Sequence, residues 1–113
     1  MVKKRYVPDV GDVVWIDLNP TKGREQAKRR PALVLSPQEY NKKTSLALMC
    51  PITSVKKGYP FEVRLADKKI TGVVLADHVR SLDWAARNAR LIIKAKPNVI
   101  TEAQQKLNLL LGS

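Results

Sequence analysis

Short runs of alternating apolar residues, broken by prolines, glycines and charges and followed by one segment of helical period, leave this chain few ways to fold. Val14, Ile16 and Leu18 alternate with Val13, Trp15 and Asp17, the period-two pattern of a strand with one buried face. Asn19-Pro20-Thr21-Lys22-Gly23 reads as a turn, because Pro20 fixes φ and Gly23 relieves the exit. Arg24–Arg30 is polar throughout and predicts an exposed loop. Pro31–Ser36 is a second strand, with Pro31 at its start, where a missing N–H does least harm. Ser36-Pro37-Gln38-Glu39 carries helix-start chemistry, with Ser36 as N-cap and Glu39 closing a capping box. That helix is expected to be short, since Asn41–Thr44 is polar again. Further strands are predicted at Leu46–Thr53, Phe61–Leu65 and Gly72–Ala76, with Val79–Leu82 as a continuation and Leu91–Ala95 as one more. Ile100, Ala103, Leu107, Leu110 and Leu111 then recur at helical spacing, between Pro97 at the first turn and Gly112 at the stop. Antiparallel strands closed by one helix predict a mainly β fold with α, a small partly open barrel forming a single domain over residues 1–113.

Charge says what such a domain would meet. Lysine and arginine number 21 against 10 acidic residues, a net +11 on 113 residues, and self-repulsion of that size favours a polyanionic partner. Plain solubility is the bland alternative. No basic amphipathic helix argues for a membrane surface, no 18-residue apolar run argues for a membrane span, and no apolar stretch follows the basic start at Met1–Tyr6. The expected location is the cytoplasm. Cys50, the only cysteine, excludes an internal disulfide and reads as a buried structural thiol.

His78 is the only histidine, so neither a His/Cys zinc set nor a histidine acid–base pair exists within one chain, and no Asp/Glu cluster has cation-ligand spacing. No metal or other cofactor is expected. The candidate chemistry lies elsewhere. Arg24, Glu25, Gln26, Arg29 and Arg30 precede the second strand. Pro31 holds Arg30 extended at the strand's start, where its planar fork of donors suits phosphate oxygens. Glu25 is the nearest carboxylate and a candidate proton acceptor. The alternative is a solvated loop with a surface ion pair of little energy. Thr53 and Ser54 bring two hydroxyls to a strand end, able to donate to a phosphate or to be ordinary strand-end residues. Tyr59 could stack a base while Lys56 and Lys57 hold phosphates, or it anchors a Gly-Pro loop. Asp77 and His78 follow a strand as a polar pair that either reads base edges or is structural. Trp15, opposite the apolar stripe, either meets a second subunit or is a surface aromatic.

Taken in order, Gly11-Asp12, Pro20-Thr21-Lys22-Gly23, Glu25-Gln26, Arg30-Pro31-Ala32, Leu35-Ser36-Pro37, Pro51-Ile52-Thr53, Lys57-Gly58-Tyr59-Pro60-Phe61 and Leu75-Ala76-Asp77 resemble the MazF toxin family, also called PemK/Kid-like. The resemblance runs from Tyr6 to Gly112. It implies an SH3-like barrel, a symmetric homodimer, ribosome-independent cleavage of single-stranded mRNA at a short sequence, and neutralisation by an acidic antitoxin of the MazE kind. It also implies that Arg30 and Thr53 carry catalysis and that Glu25 is a further acidic position near the site. Lys22, Gln26, Lys56, Lys57, Tyr59, Asp77 and His78 are the expected RNA-binding set. His78 stands where close relatives tend to carry glutamine, and Ala85 where some have arginine; both departures bear on the sequence cut more than on the chemistry.

Without a metal, the easiest nucleophile is the substrate's own ribose 2′-hydroxyl, which gives a 2′,3′-cyclic phosphate and a 5′-hydroxyl end. Arg30 would steady charge on the non-bridging oxygens and Thr53 would donate to the same group. Arginine holds its proton too tightly to be a comfortable base, although accounts of the family give it a proton-transfer part; Glu25 is the alternative. The rival readings are a non-catalytic RNA-binding module on the same barrel, a gyrase-targeting toxin like the structurally related CcdB, and a basic ribosome-associated domain.

Overall fold

The computed structural model describes residues 6–18 and 28–112. The turn expected at Asn19–Gly23 and the candidate residues Lys22, Arg24, Glu25 and Gln26 lie outside them. Among the described residues the order is β1 (Asp12–Asp17), β2 (Arg29–Val34), α1 (Gln38–Thr44), β3 (Leu46–Thr53), β4 (Glu62–Ala66), β5 (Thr71–Leu75), β6 (Arg80–Asp83), β7 (Arg90–Lys94) and α2 (Pro97–Leu111). All pairings are antiparallel. They form one curled sheet in the order β4-β5-β3-β2-β1-β7, with β6 bonded to β3. The end strands β4 and β7 do not pair, which leaves the barrel partly open as expected.

Alternation along these strands builds two cores, one on each face. On one face Val13, Leu33, Cys50, Ile52, Val63 and Val74 pack under Val99 and Ala103 of α2. On the other Val14, Ile16, Ala32, Val34, Met49 and Leu82 pack with Trp84. β1 therefore corrects the expectation of a single buried stripe: Val13 and Val14, adjacent in sequence and opposite in direction, are both fully buried. Val79–Leu82 is likewise not a continuation of β5. Its last residues join β6, which pairs with the first half of β3.

The start of α1 also differs from its sequence reading. Ser36 is buried, donates its hydroxyl hydrogen to Asn41 Oδ1 (2.5 Å) and accepts from the Leu48 N–H (2.9 Å), so Pro37 becomes the N-cap and no capping box forms. The first free N–H of the helix, that of Gln38, donates instead to Asp9 Oδ1 (3.0 Å), 29 residues upstream. The helix runs through the polar residues Asn41–Thr44 because Asn41 is itself buried and satisfied. Its amide donates to the carbonyls of Pro8 and Ser36, and its own carbonyl accepts from the Trp84 indole (2.9 Å). α2 begins at Pro97 and ends at left-handed Gly112, as predicted, but only Val99 and Ala103 are buried on it; Leu110 and Leu111, part of its predicted apolar face, are exposed.

The N-terminal segment is tied down by Asp12. Its carboxylate accepts from the Tyr6 hydroxyl (2.5 Å) and the Asp9 N–H (3.0 Å) and pairs with Lys94 (2.8 Å). Burial, the Asp12 hydrogen bond and the nearby negative charges push the Tyr6 phenol far above its ordinary value, and the Asp12 hydrogen bond raises Lys94 as well. In the unfolded chain both groups lose their protons near pH 10. Their folded values are raised, so their contribution to stability is complete below about pH 10 and drains as pH rises beyond it. Urea midpoints measured between about pH 8 and 11 should fall on the alkaline side, and Tyr6→Phe should flatten that fall. An equally steep fall in the variant would remove Tyr6 from the effect.

Candidate active site

The register of β2 against β3 assembles the site. Ala32 pairs with Pro51, Leu33 with Cys50 and Val34 with Met49. The pairing ends at Ala32 and Pro51; carried two residues further, its register would bring Arg30 opposite Thr53. Beyond Thr53 the row goes on to Val73 of β5 and Arg64 of β4, all on one face of the sheet. Arg29 corrects the expectation of a loop, whereas Arg30 is extended at the strand's start as its place before Pro31 predicts; both belong to β2 and pair with Asp17 and Ile16. A strand, rather than a loop, therefore sets the direction of each guanidinium.

Arg30 and Thr53 line one cleft of about 560 Å³, together with Trp15, Arg29, Ser54 and Thr71. No carboxylate among the described residues lines it, so its field is positive. Arg29 sits 5.2 Å over the Trp15 ring, its diagonal neighbour on the sheet, and this cation–π contact makes Trp15 a wall of the cleft. The Thr53 Oγ1 accepts from the N–H of Val55 (3.1 Å). With a lone pair engaged by that N–H, its hydrogen is left to donate.

A smaller recess of about 230 Å³ lies on the other side of Arg30, rimmed by Pro31, Pro51, His78 and Arg80 above Met49. His78 is thus next to the site. Asp77 is not presented with it: its side chain is largely buried, and Oδ1, 3.7 Å from His78 Nε2, has no hydrogen-bond partner among the described residues. Asp77 instead faces Cys50, whose buried thiol is pushed up to about 12 by burial and then by that carboxylate, as an inert structural cysteine should be. Lys56, Lys57 and Tyr59 are exposed and follow Val55 without lining the cleft. The backbone of Lys57 and Gly58 donates to the Glu62 carboxylate (3.0 and 3.1 Å), and Tyr59 leans on Phe61 at a centroid distance of 6.3 Å. No group of three His, Cys, Asp or Glu side chains among the described residues could hold a metal ion.

Sequence reasoning missed Arg64, Thr71 and Arg80 and left Trp15 outside the site. Thr71 and Arg64 carry no local signal, because only the pairing of β5 with β3 brings them near Thr53. Arg80 was hidden by reading β6 as an extension of β5.

Residues 9–111 match the profile of a family described as PemK-like, MazF-like toxin of type II toxin–antitoxin system. The chain is 50% identical over 108 residues to the endoribonuclease toxin MazF of Escherichia coli strain K12, covering 96% of this chain and 97% of that protein. Among solved structures, it is similar to MazF from Deinococcus radiodurans (53% identity, TM-score 0.86, 96% of this chain and 100% of that one). It is also similar to a chain in a MazE–MazF crystal structure from the same organism (51% identity, TM-score 0.85, 96% and 98% covered).

Gly72 sets how closely β5 approaches the catalytic candidate on β3. A Cβ there would stand 2.5 Å from the Thr53 carbonyl oxygen and 3.2 Å from its carbon, both of them backbone atoms. Gly72→Ala should therefore push the strands apart and cost roughly 1–3 kcal/mol in urea unfolding. An unchanged midpoint would show that this approach is not tight.

Proposed function

The chain belongs to the PemK-like, MazF-like toxin family, and from that premise we propose that it is an endoribonuclease that cuts single-stranded mRNA at a short sequence, without ribosome or metal ion. The observation that carries the reading is the shared cleft: a guanidinium from β2 and a hydroxyl from β3 border one positively charged space, with that hydroxyl's hydrogen left free.

In the proposed reaction the ribose 2′-oxygen attacks the adjacent phosphorus while the P–O5′ bond breaks. The products are a 2′,3′-cyclic phosphate and a 5′-hydroxyl end; the 2′ proton leaves to a base and the 5′ oxygen gains one. Arg30 holds the non-bridging oxygens as negative charge grows there, and Thr53 donates to the same group. Arg29, held against Trp15, adds positive potential at the cleft wall. Glu25 is our candidate for the base, with the arginine's proton-transfer part as the alternative. Lys22, Gln26, Lys56, Lys57, Tyr59, Asp77 and His78 are proposed to bind RNA, and of these His78, beside the recess next to Arg30, has the strongest geometric support.

Unstacked bases are proposed to be read in a groove along the interface of a symmetric homodimer. An acidic, MazE-like antitoxin is the proposed inhibitor, a reading supported by the MazE–MazF complex among the similar structures. No helix among the described residues is long and apolar enough to cross a membrane, and we place the protein in the cytoplasm.

Incubation with a long RNA, followed by mapping of the new ends, tests the reading. Cleavage should persist in EDTA, leave cyclic phosphate ends, and vanish when the ribose at the cut position lacks its 2′-hydroxyl. Thr53→Val should fold and lower turnover about 100-fold or more, the loss of one transition-state donor worth roughly 3 kcal/mol. Arg30→Ala should cut more slowly still. Intact RNA alongside altered DNA supercoiling would assign the fold to a gyrase-directed toxin instead.

A further inference from the structure

Beside the cleft lies a second concavity, of about 640 Å³, that the mechanism does not use. It is lined by Ala66, Asp67, Lys68, Lys69, Thr71 and Lys96, and Thr71 lines the cleft as well, so the two are continuous. Lys68 and Lys69 come from the β4–β5 turn and Lys96 from the junction of β7 with α2. All three are exposed, and none forms an ion pair among the described residues. Asp67, the one carboxylate in the lining, accepts from the Lys69 N–H through Oδ1 (3.0 Å), and no acidic residue stands in the first turn of α2. Two distant segments thus converge three lysines on one surface whose lining holds a single carboxylate, so positive charge prevails there.

We propose that this surface is a phosphate shelf that holds the RNA strand beyond the nucleotides in the cleft, its backbone passing over Thr71. The proposal rests on the nuclease reading for the identity of the strand. Flexible ammonium groups hold phosphates without reading bases, so the shelf adds affinity for length rather than for sequence. A protein occupant fits less well, because no aromatic or large aliphatic side chain lines the concavity and a protein partner would find nothing to anchor in.

Binding to fluorescein-labelled single-stranded 2′-deoxy oligonucleotides, which lack the nucleophile, tests the shelf apart from cleavage. On a 20-mer, as a chosen length of about 20 nucleotides, the wild type should lose affinity steeply with salt. Lys68→Gln/Lys69→Gln/Lys96→Gln should make the slope of log K against log salt shallower by about 2, since each lost phosphate contact on a single strand removes about 0.7. Lys42→Gln/Lys43→Gln on α1, which joins the opposite end of β3 from Thr53, serves as the charge control. An unchanged slope in the triple variant, or an equal change per lysine in the control, overturns the shelf. So does an intact slope with lost affinity for a polyglutamate peptide, which would assign the surface to a protein. Because the measurement needs no turnover, a wild type that cuts no RNA would end the nuclease reading while the slope still decided the shelf.

Discussion

Strand β3 is bonded along one edge to β2 and along the other first to β6 and then to β5, and that double pairing decides where every important side chain of the sheet points. Side chains alternate along a strand, so a slip of one residue between β2 and β3 would send Arg30 to the face opposite Thr53. The slip is prevented by the core. Leu33 against Cys50 faces the α2 side, and Val34 against Met49 faces the other. Moving either strand by one position would exchange the two faces, setting Leu33 or Cys50 where Val34 or Met49 packs, side chains of different size and shape. The apolar residues at the middle of these strands hold the polar ones at their ends in register.

The same logic explains how a chain of net +11 keeps a defined fold. Among the described residues its lysines and arginines lie outside both cores, at the surface where water solvates them. Two charges drawn inward are paired: Asp12 takes Tyr6, Lys94 and a backbone N–H, and Lys106 joins Glu102 and the Glu62 carbonyl (2.9 Å), pinning α2 to β4. Repulsion among the remaining surface cations weakens the free protein, and neutralising them on binding recovers that energy.

Strand positions were legible because a half-buried strand writes its period into the sequence. Leu46–Thr53 has the bounds the sequence predicted, and the other predicted strands agree to within a residue or two at most ends. An arginine hides a strand start, since Arg29 looks like loop and yet pairs with Asp17. Ser36 illegibly serves the interior: its capping pattern is correct locally, but a buried Asn41 competes for its hydroxyl and wins. Leu110 and Leu111 have the period of an apolar helix face and are nonetheless exposed. Of the candidate site, Arg30 and Thr53, which line one cleft, were picked out by chemistry and resemblance. Arg64, Arg80 and Thr71 were not, because only long-range pairing gives them a place near the cleft.

The proposed site, built from a guanidinium and a hydroxyl, imposes a different demand from one built on histidine. Neither group changes protonation readily near neutral pH, so neither can gain much by shuttling a proton; their use lies in being fixed before charge develops. Fixing them is a backbone matter. Arg30 is held by a strand whose start is stiffened by Pro31. Thr53 is held from two directions: by the N–H of Val55 at its hydroxyl, and by β5, which can come close only because residue 72 has no side chain. Removing any one of these leaves both functional groups in the sequence and weakens the geometry between them. Precision at this site therefore resides in residues that carry no chemistry of their own.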